Sequence, residues 1–317
     1  MLTAGQNRRS AALGVHSLDH FALTVPDLDT ARNFYSTFGL DVSPLGNVMS
    51  IHASDRPHQW GVLIEGPTKR LHHLAFGIFK EDFDRFKHRI EIRGIQLLDA
   101  PPGMESTGIW LRDPEGILIH LRVAPKTSPD QKLAPEFISS PDGKAGAPKR
   151  GQVPIVRPMR LGHCLIFTRN VSTAICFYTE VLGLRISDRS GADVAYMHGI
   201  HGSDHHLIAF ARSNAPGFHH CSWDVRSLNE IGLGAMQMAA RGYHRGWGMG
   251  RHVLGSNYFH YVRDPWGSYC GYSCDMDYIP VDMEWQAGDH DAEDTFYVWG
   301  PNPPADWTHN YEADRGS

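Results

Sequence analysis

Nothing in this chain stays apolar for longer than a strand, so no segment reads as a membrane-spanning helix. An excess of basic residues is missing too. With 30 Lys and Arg against 35 Asp and Glu, the net charge is -5, which argues against a nucleic-acid partner. The opening Met-Leu-Thr-Ala-Gly-Gln-Asn-Arg-Arg lacks the apolar core of a secretory signal, so a cytoplasmic location is the expectation. The first half has no cysteine. All five (Cys164, Cys176, Cys221, Cys270, Cys274) fall in the second half without a CxxC pair, which excludes a disulfide framework and a cysteine zinc site as first readings. No HExxH segment is present, which disfavours a zinc hydrolase.

Histidine, by contrast, is abundant: 20 of 317 residues, most of them expected on the surface or satisfied in a core. A few stand out because the chain repeats itself around them. His20 to Phe34-Tyr35 and Gly39-Leu40 aligns with His163 to Phe177-Tyr178 and Gly183-Leu184, with fifteen residues from histidine to tyrosine in both copies. Each copy passes from a period-2 apolar segment to a helical pattern opened by Asp27 or Asn170 and closed by Gly39 or Gly183. A second pair of units begins at His72-His73 and His219-His220. Its helices are expected through Phe83, Phe86 and Ile90 to Gly94, and through Leu228, Ile231 and Ala235 to Gly242. Both then reach one turn signature, Arg112-Asp113-Pro114-Glu115-Gly116 and Arg263-Asp264-Pro265-Trp266-Gly267.

The expected fold class is therefore α+β, with two domains, each a pair of βαβββ modules forming a curved, incompletely closed sheet around a cavity. The expected bounds are an N-terminal arm at 1–14, a first domain at 15–125, a linker rich in Pro, Gly, Lys and Ser at 126–157, a second domain at 158–280 and an aromatic tail at 281–317.

Strand alternation lets the first-strand histidines of neighbouring units converge with a residue on the last strand. In the second half His163 and His220 take two of those three places, while Cys164, Cys221 and Cys270 fall on the opposite face. Two neutral imidazoles and a carboxylate on one side of an ion suit non-haem iron. These strands, the run His205-His206-Leu-Ile-Ala-Phe, and the stretch from His252 through Tyr261 to Asp264-Pro-Trp-Gly resemble the type I extradiol ring-cleavage dioxygenases of the vicinal oxygen chelate superfamily. The resemblance runs from Leu18 to about Pro280. It implies Fe(II) held by His163 and His220, His206 as the acid–base residue, His252 and Tyr261 against the catechol oxygens, a catecholic substrate with O₂, and a homo-oligomer. The chemistry is coherent: a bound diol is acidified, electron density passes to O₂, and a poised imidazole moves a proton.

One residue departs from that pattern. Four positions beyond Gly267, where the family carries a glutamate ligand, stands Gly271. Asp275 shares its parity but lies about 13 Å along the strand. Three accounts stay open: a two-histidine iron site whose vacancy is filled by water or a small anion, a non-oxidative small-molecule-binding protein on the same fold, or loss of activity. In the first half His20, His73 and His120 occupy the three corresponding places, with Trp110 where Tyr261 stands and Pro101 where His252 stands. A three-histidine metal site and packing residues left from duplication both stay open there, the second being the plainer expectation. Substrate choice is expected to depend on side chains such as Phe218, Trp247, Met249 and Tyr258.

Overall fold

The computed structural model describes residues 7–54, 57–137 and 139–314. The first half forms β1 (Ser17–Val25), α1 (Leu28–Phe38), β2 (Asp41–Leu45), β3 (Val48–His52), β4 (Gln59–Glu65), β5 (Arg70–Ile78), α2 (Phe83–Ile92), β6 (Ile109–Arg112) and β7 (Leu118–Val123). The second half repeats it as β8 (Arg160–Thr168), α3 (Val171–Glu180), β9 (Arg185–Ser190), β10 (Val194–His198), β11 (Ser203–Asp204), β12 (Ile208–Arg212), β13 (Gly217–Asp224), α4 (Leu228–Ala239), β14 (Gly246–Arg251), β15 (Tyr258–Arg263) and β16 (Tyr269–Cys274). Two short strands, β17 (Tyr278–Ile279) and β18 (Gly288–Asp289), follow in the tail.

Two large open sheets result, of seven strands ordered β2-β3-β4-β1-β5-β7-β6 and nine ordered β14-β15-β16-β13-β8-β12-β10-β9-β18, with β11 and β17 pairing as a third, two-stranded sheet. Strands β1 and β8, buried along nearly their whole length, lie inside the sheets, each between a parallel neighbour and an antiparallel one. Ala22 pairs with His73 and His20 with Ala75, just as Leu165 pairs with His220 and His163 with Ser222. Each histidine pair therefore sits two positions apart on adjacent strands, on one face.

Local signals set the helix ends as expected. Asp27 accepts from the backbone N–H of Asp29 and Thr30, and Asn170 accepts from Thr173. Gly39 has φ 101°, and a Cβ there would lie 2.0 Å from the Val156 carbonyl, so only glycine closes α1. The second unit departs from the βαβββ expectation: β6 and β7 are its only strands after α2, with an isolated Leu98–Trp110 bridge where another would be. Pro101-Pro102-Gly103 occupies that stretch and cannot sustain a ladder.

The halves share one core. Phe38 of α1 stacks on Tyr272 of β16 at 3.8 Å between ring centres, and the Tyr272 hydroxyl donates to the Phe38 carbonyl at 2.8 Å. Phe21 stacks on Phe218 at 5.5 Å. Cys164, Cys221 and Cys270 are buried in this core, facing away from the histidines. The tail packs back on the second half, where Trp307 is buried against Trp247, Tyr261 and Tyr269.

Candidate active site

The open face of the second sheet carries an apolar cavity lined by His163, His206, His220, His252 and Tyr261 together with Leu165, Val194, Trp247, Leu254, Phe296 and Trp307. All five residues singled out from the sequence are brought together. Of the four proposed substrate contacts only Trp247 reaches the cavity. Phe218 is turned to the interface with Phe21, Met249 lies at the surface, and Tyr258 packs under the Arg251 guanidinium.

His163 and His220 point their Nε2 atoms at one another, 3.3 Å apart. A chain of hydrogen bonds fixes the tautomer of His220. The Trp307 carbonyl only accepts, so His219 Nε2 carries the proton in the 2.7 Å contact between them. Burial pushes the pKa of His219 down to about 4, although its bond to that carbonyl pulls the other way, so the ring is neutral and its Nδ1 accepts. The proton in the 2.7 Å Nδ1···Nδ1 contact with His220 therefore belongs to His220. His220 is itself held neutral, far below the usual imidazole value, first by burial and then by the neighbouring histidines. Its Nε2 thus presents a bare lone pair to the cavity, the form a metal ligand requires.

A second relay reaches His206. Asp188 accepts from His205 Nε2 at 2.8 Å, and His205 Nδ1 meets His206 Nδ1 at 3.0 Å. This holds the His206 ring, which lines the cavity, 4.2 Å from that of His163. His252 Nε2 lies 3.1 Å from the Tyr261 hydroxyl, and its Nδ1 is tied to the Phe296 carbonyl. Burial drives the Tyr261 phenol up and His252 down to about 4, so at neutral pH the pair is an uncharged phenol beside an uncharged imidazole. Sequence reading missed His219, Asp188, His205 and the tail carbonyls. The doublets His205-His206 and His219-His220 were the signal available for two of them.

Gly271 leaves no hole. In β16 it pairs with Tyr261 and with Ser222, and a Cβ placed on it would lie 2.7 Å from two ring carbons of Tyr261. The tyrosine ring takes the space beside the glycine, which corrects the expectation of a vacancy for water or an anion. The Ser222 hydroxyl next to it is buried without a hydrogen-bond partner among the described residues. Asp275 is turned outward to Lys132 and Arg251. Among the described residues no three His, Cys, Asp or Glu side chains converge as a ready metal cage. Two imidazole donors therefore fit an ion, and among the described residues no third side chain converges with them. Gly271→Glu alone should lower stability by roughly 1–3 kcal/mol through overpacking and leave metal affinity low. Combined with Tyr261→Ala it should raise metal content, as metal analysis after anaerobic loading with a divalent ion would show.

The Glyoxalase/Bleomycin resistance protein/Dioxygenase superfamily model matches residues 17–121 and 160–270, and the chain belongs to that superfamily. It is 48% identical to "Metapyrocatechase 2" of Cupriavidus necator over 299 residues, 94% of this chain and 93% of that one. The likeness to an extradiol ring-cleaving dioxygenase read from the motifs is borne out. The fold matches the Mn(II)-bound glyoxalase from Novosphingobium aromaticivorans, with TM-score 0.74 and 22% identity over 92% of this chain and 93% of that one. It also matches BphC, a halotolerant catechol dioxygenase, with TM-score 0.72 and 18% identity over 92% and 95%. Among the described residues no helix is long and apolar enough to cross a membrane.

Proposed function

We propose that this protein is an Fe(II)-dependent extradiol dioxygenase that opens the ring of a catechol bearing an apolar substituent. The observation that carries the reading is the bare His220 Nε2 facing His163 Nε2 in a cavity walled by aromatic and aliphatic side chains. His163 and His220 would hold the ion, which when bound supplies the Lewis acidity that ionises a diol and the redox partner that O₂ needs. With no protein carboxylate at the third place, a chelating diol would supply donors that the protein lacks, so iron and substrate would bind more tightly together than apart. Among the described residues no Asp, Glu, Lys or Arg side chain lines the cavity, which selects against carboxylated catechols.

His252 and Tyr261 stand as a linked imidazole and phenol able to contact a diol oxygen. His206, held by His205 and Asp188, would take and return a proton. Asp188→Asn should lower kcat about ten- to hundredfold and move the pH profile while leaving iron content unchanged, since it acts on the ring of His206 from behind. Oxygen uptake with a panel of catechols after anaerobic iron loading, with appearance of a coloured ring-fission product, tests the function. Absence of turnover with every catechol in iron-loaded protein overturns it. The crowding of Gly271 favours, as the second reading, a non-oxidative small-molecule-binding protein. Ligand affinity untouched by chelators would identify it.

A further inference from the structure

The N-terminal half contains the same device as the C-terminal one, and more donors. His20 Nε2 lies 3.2 Å from His73 Nε2, with ring centres 5.3 Å apart and planes at 81°, against 3.3 Å, 5.4 Å and 78° for His163 and His220. Behind them the outer nitrogens are held as ligand histidines require. Asp19, fully buried, accepts from His20 Nδ1 at 2.7 Å and is itself fixed by Arg122 at 2.8 Å, while His73 Nδ1 is held by His72 at 2.8 Å. A cavity of about 140 Å³ opens over the pair and is lined by His20, Gln59, His73, Glu105, Trp110 and His120.

The register makes the comparison residue by residue. Phe21 pairs with Gly61 as Cys164 pairs with Ile208, so Gln59 stands where His206 stands, and the acid–base group is absent. Trp110 pairs with His120 as Tyr261 pairs with Gly271. The third ligand place, empty of donors in the C-terminal half, thus carries an imidazole here. His120 lies flat on Trp110, 4.1 Å between ring centres, with its Nε2 bonded to the Thr107 carbonyl at 2.8 Å. That single bond is what a swing of the ring toward the pair would exchange. Without an ion, the contact between His20 and His73 serves as an ordinary N–H···N bond.

We propose that His20, His73 and His120 form a second metal site, for a divalent transition-metal ion of borderline softness, with Zn(II) the match for an all-imidazole set. The site binds its ion without oxygen chemistry, because Gln59 and Trp110 replace the groups that would move protons and bind a diol. The site would clamp β1, β5 and β7 together.

The experiment is a Zn(II) titration of the metal-stripped full chain by calorimetry, with bound zinc counted after gel filtration. His220→Ala, which lacks the other pair, should still bind one zinc per chain. His73→Ala should lose that zinc, and His120→Phe, which keeps a ring on Trp110, should weaken it by more than about a hundredfold, since a ligand and not a group behind one is lost. Zinc absent from His220→Ala overturns the proposal, as does zinc retained in full by both His73→Ala and His120→Phe. Should His73→Ala fail to fold by circular dichroism, His120→Phe and His220→Ala decide. Because the catechol reading rests on His163 and His220, zinc lost with His220→Ala but kept with His73→Ala refutes this site alone. The reverse pattern, with no iron bound by the wild-type C-terminal pair, refutes the catechol reading alone.

Discussion

Replacing His220 by alanine is expected to abolish iron retention and catechol ring cleavage together, each by more than a hundredfold. The reasoning starts from the donor count. With a carboxylate at the third place, loss of one imidazole would leave two protein ligands; with Gly271 there, it leaves only His163. Changes merely behind a ligand cost about 10–100-fold in affinity or activity, so removal of one of two ligands exceeds that range. The effect should also be graded by the chain of protons that prepares His220. His219→Phe preserves a ring against Phe167 and Trp307 but removes the acceptor for His220 Nδ1–H, so the tautomer is no longer fixed. It should cost about 10–100-fold in iron affinity without emptying the site. Iron content and oxygen uptake, measured for both variants beside circular dichroism, check the ordering. If His220→Ala retains iron and turns over catechol, the ion is not where these imidazoles meet.

How much of this was legible in the sequence depends on how far apart in the chain the partners lie. The spacing from His20 to Tyr35 and from His163 to Tyr178 announced strand and helix, because the apolar period changes there and Asp27, Asn170, Gly39 and Gly183 mark the ends. The convergence of His163 and His220 was legible for the same reason: repeat position fixes strand position, and strand position fixes face. The absence of a strand between α2 and β6 was written in Pro101-Pro102-Gly103, but the repeat argued more loudly for symmetry than the prolines did against it. The proton chain was not legible. His219 finds its acceptor 88 residues away in the tail, and His205 finds Asp188 across a strand pair, and neither distance leaves a local trace. Gly271 was read as an opening because a missing side chain suggests space, whereas the register that pairs it with Tyr261 fills that space with a ring.

The histidines that shape the site also make the fold sensitive to acid, and a steep loss of stability between pH 6.5 and about 4.5 is the expected result. His16, His198, His201 and His219 are all buried, and burial lowers the pKa of each to about 4. In the unfolded chain each titrates near 6.5, so below that pH the unfolded state binds protons that the folded state refuses. The stability these groups contribute is complete above 6.5 and drains away as pH falls toward 4. One such group is worth up to about 3 kcal/mol, and four approach the whole stability of about 5–15 kcal/mol of an ordinary domain. Two buried carboxyls act the other way. Burial raises Asp113 and Asp224 to about 6, so their contribution is lost as pH rises through 6 and regained on acidification. They offset part of the histidine term without reversing it, because His73, His163 and His206 are held below their usual value as well, by burial first. Denaturant unfolding of the metal-stripped chain across this range should show ΔG falling by several kcal/mol, and His198→Gln should lower the slope by about one proton. A ΔG that stays level from pH 7 to 5 would mean that these imidazoles reach water in the folded protein, and the neutral tautomer assigned to His219, on which the lone pair of His220 depends, would fall with it.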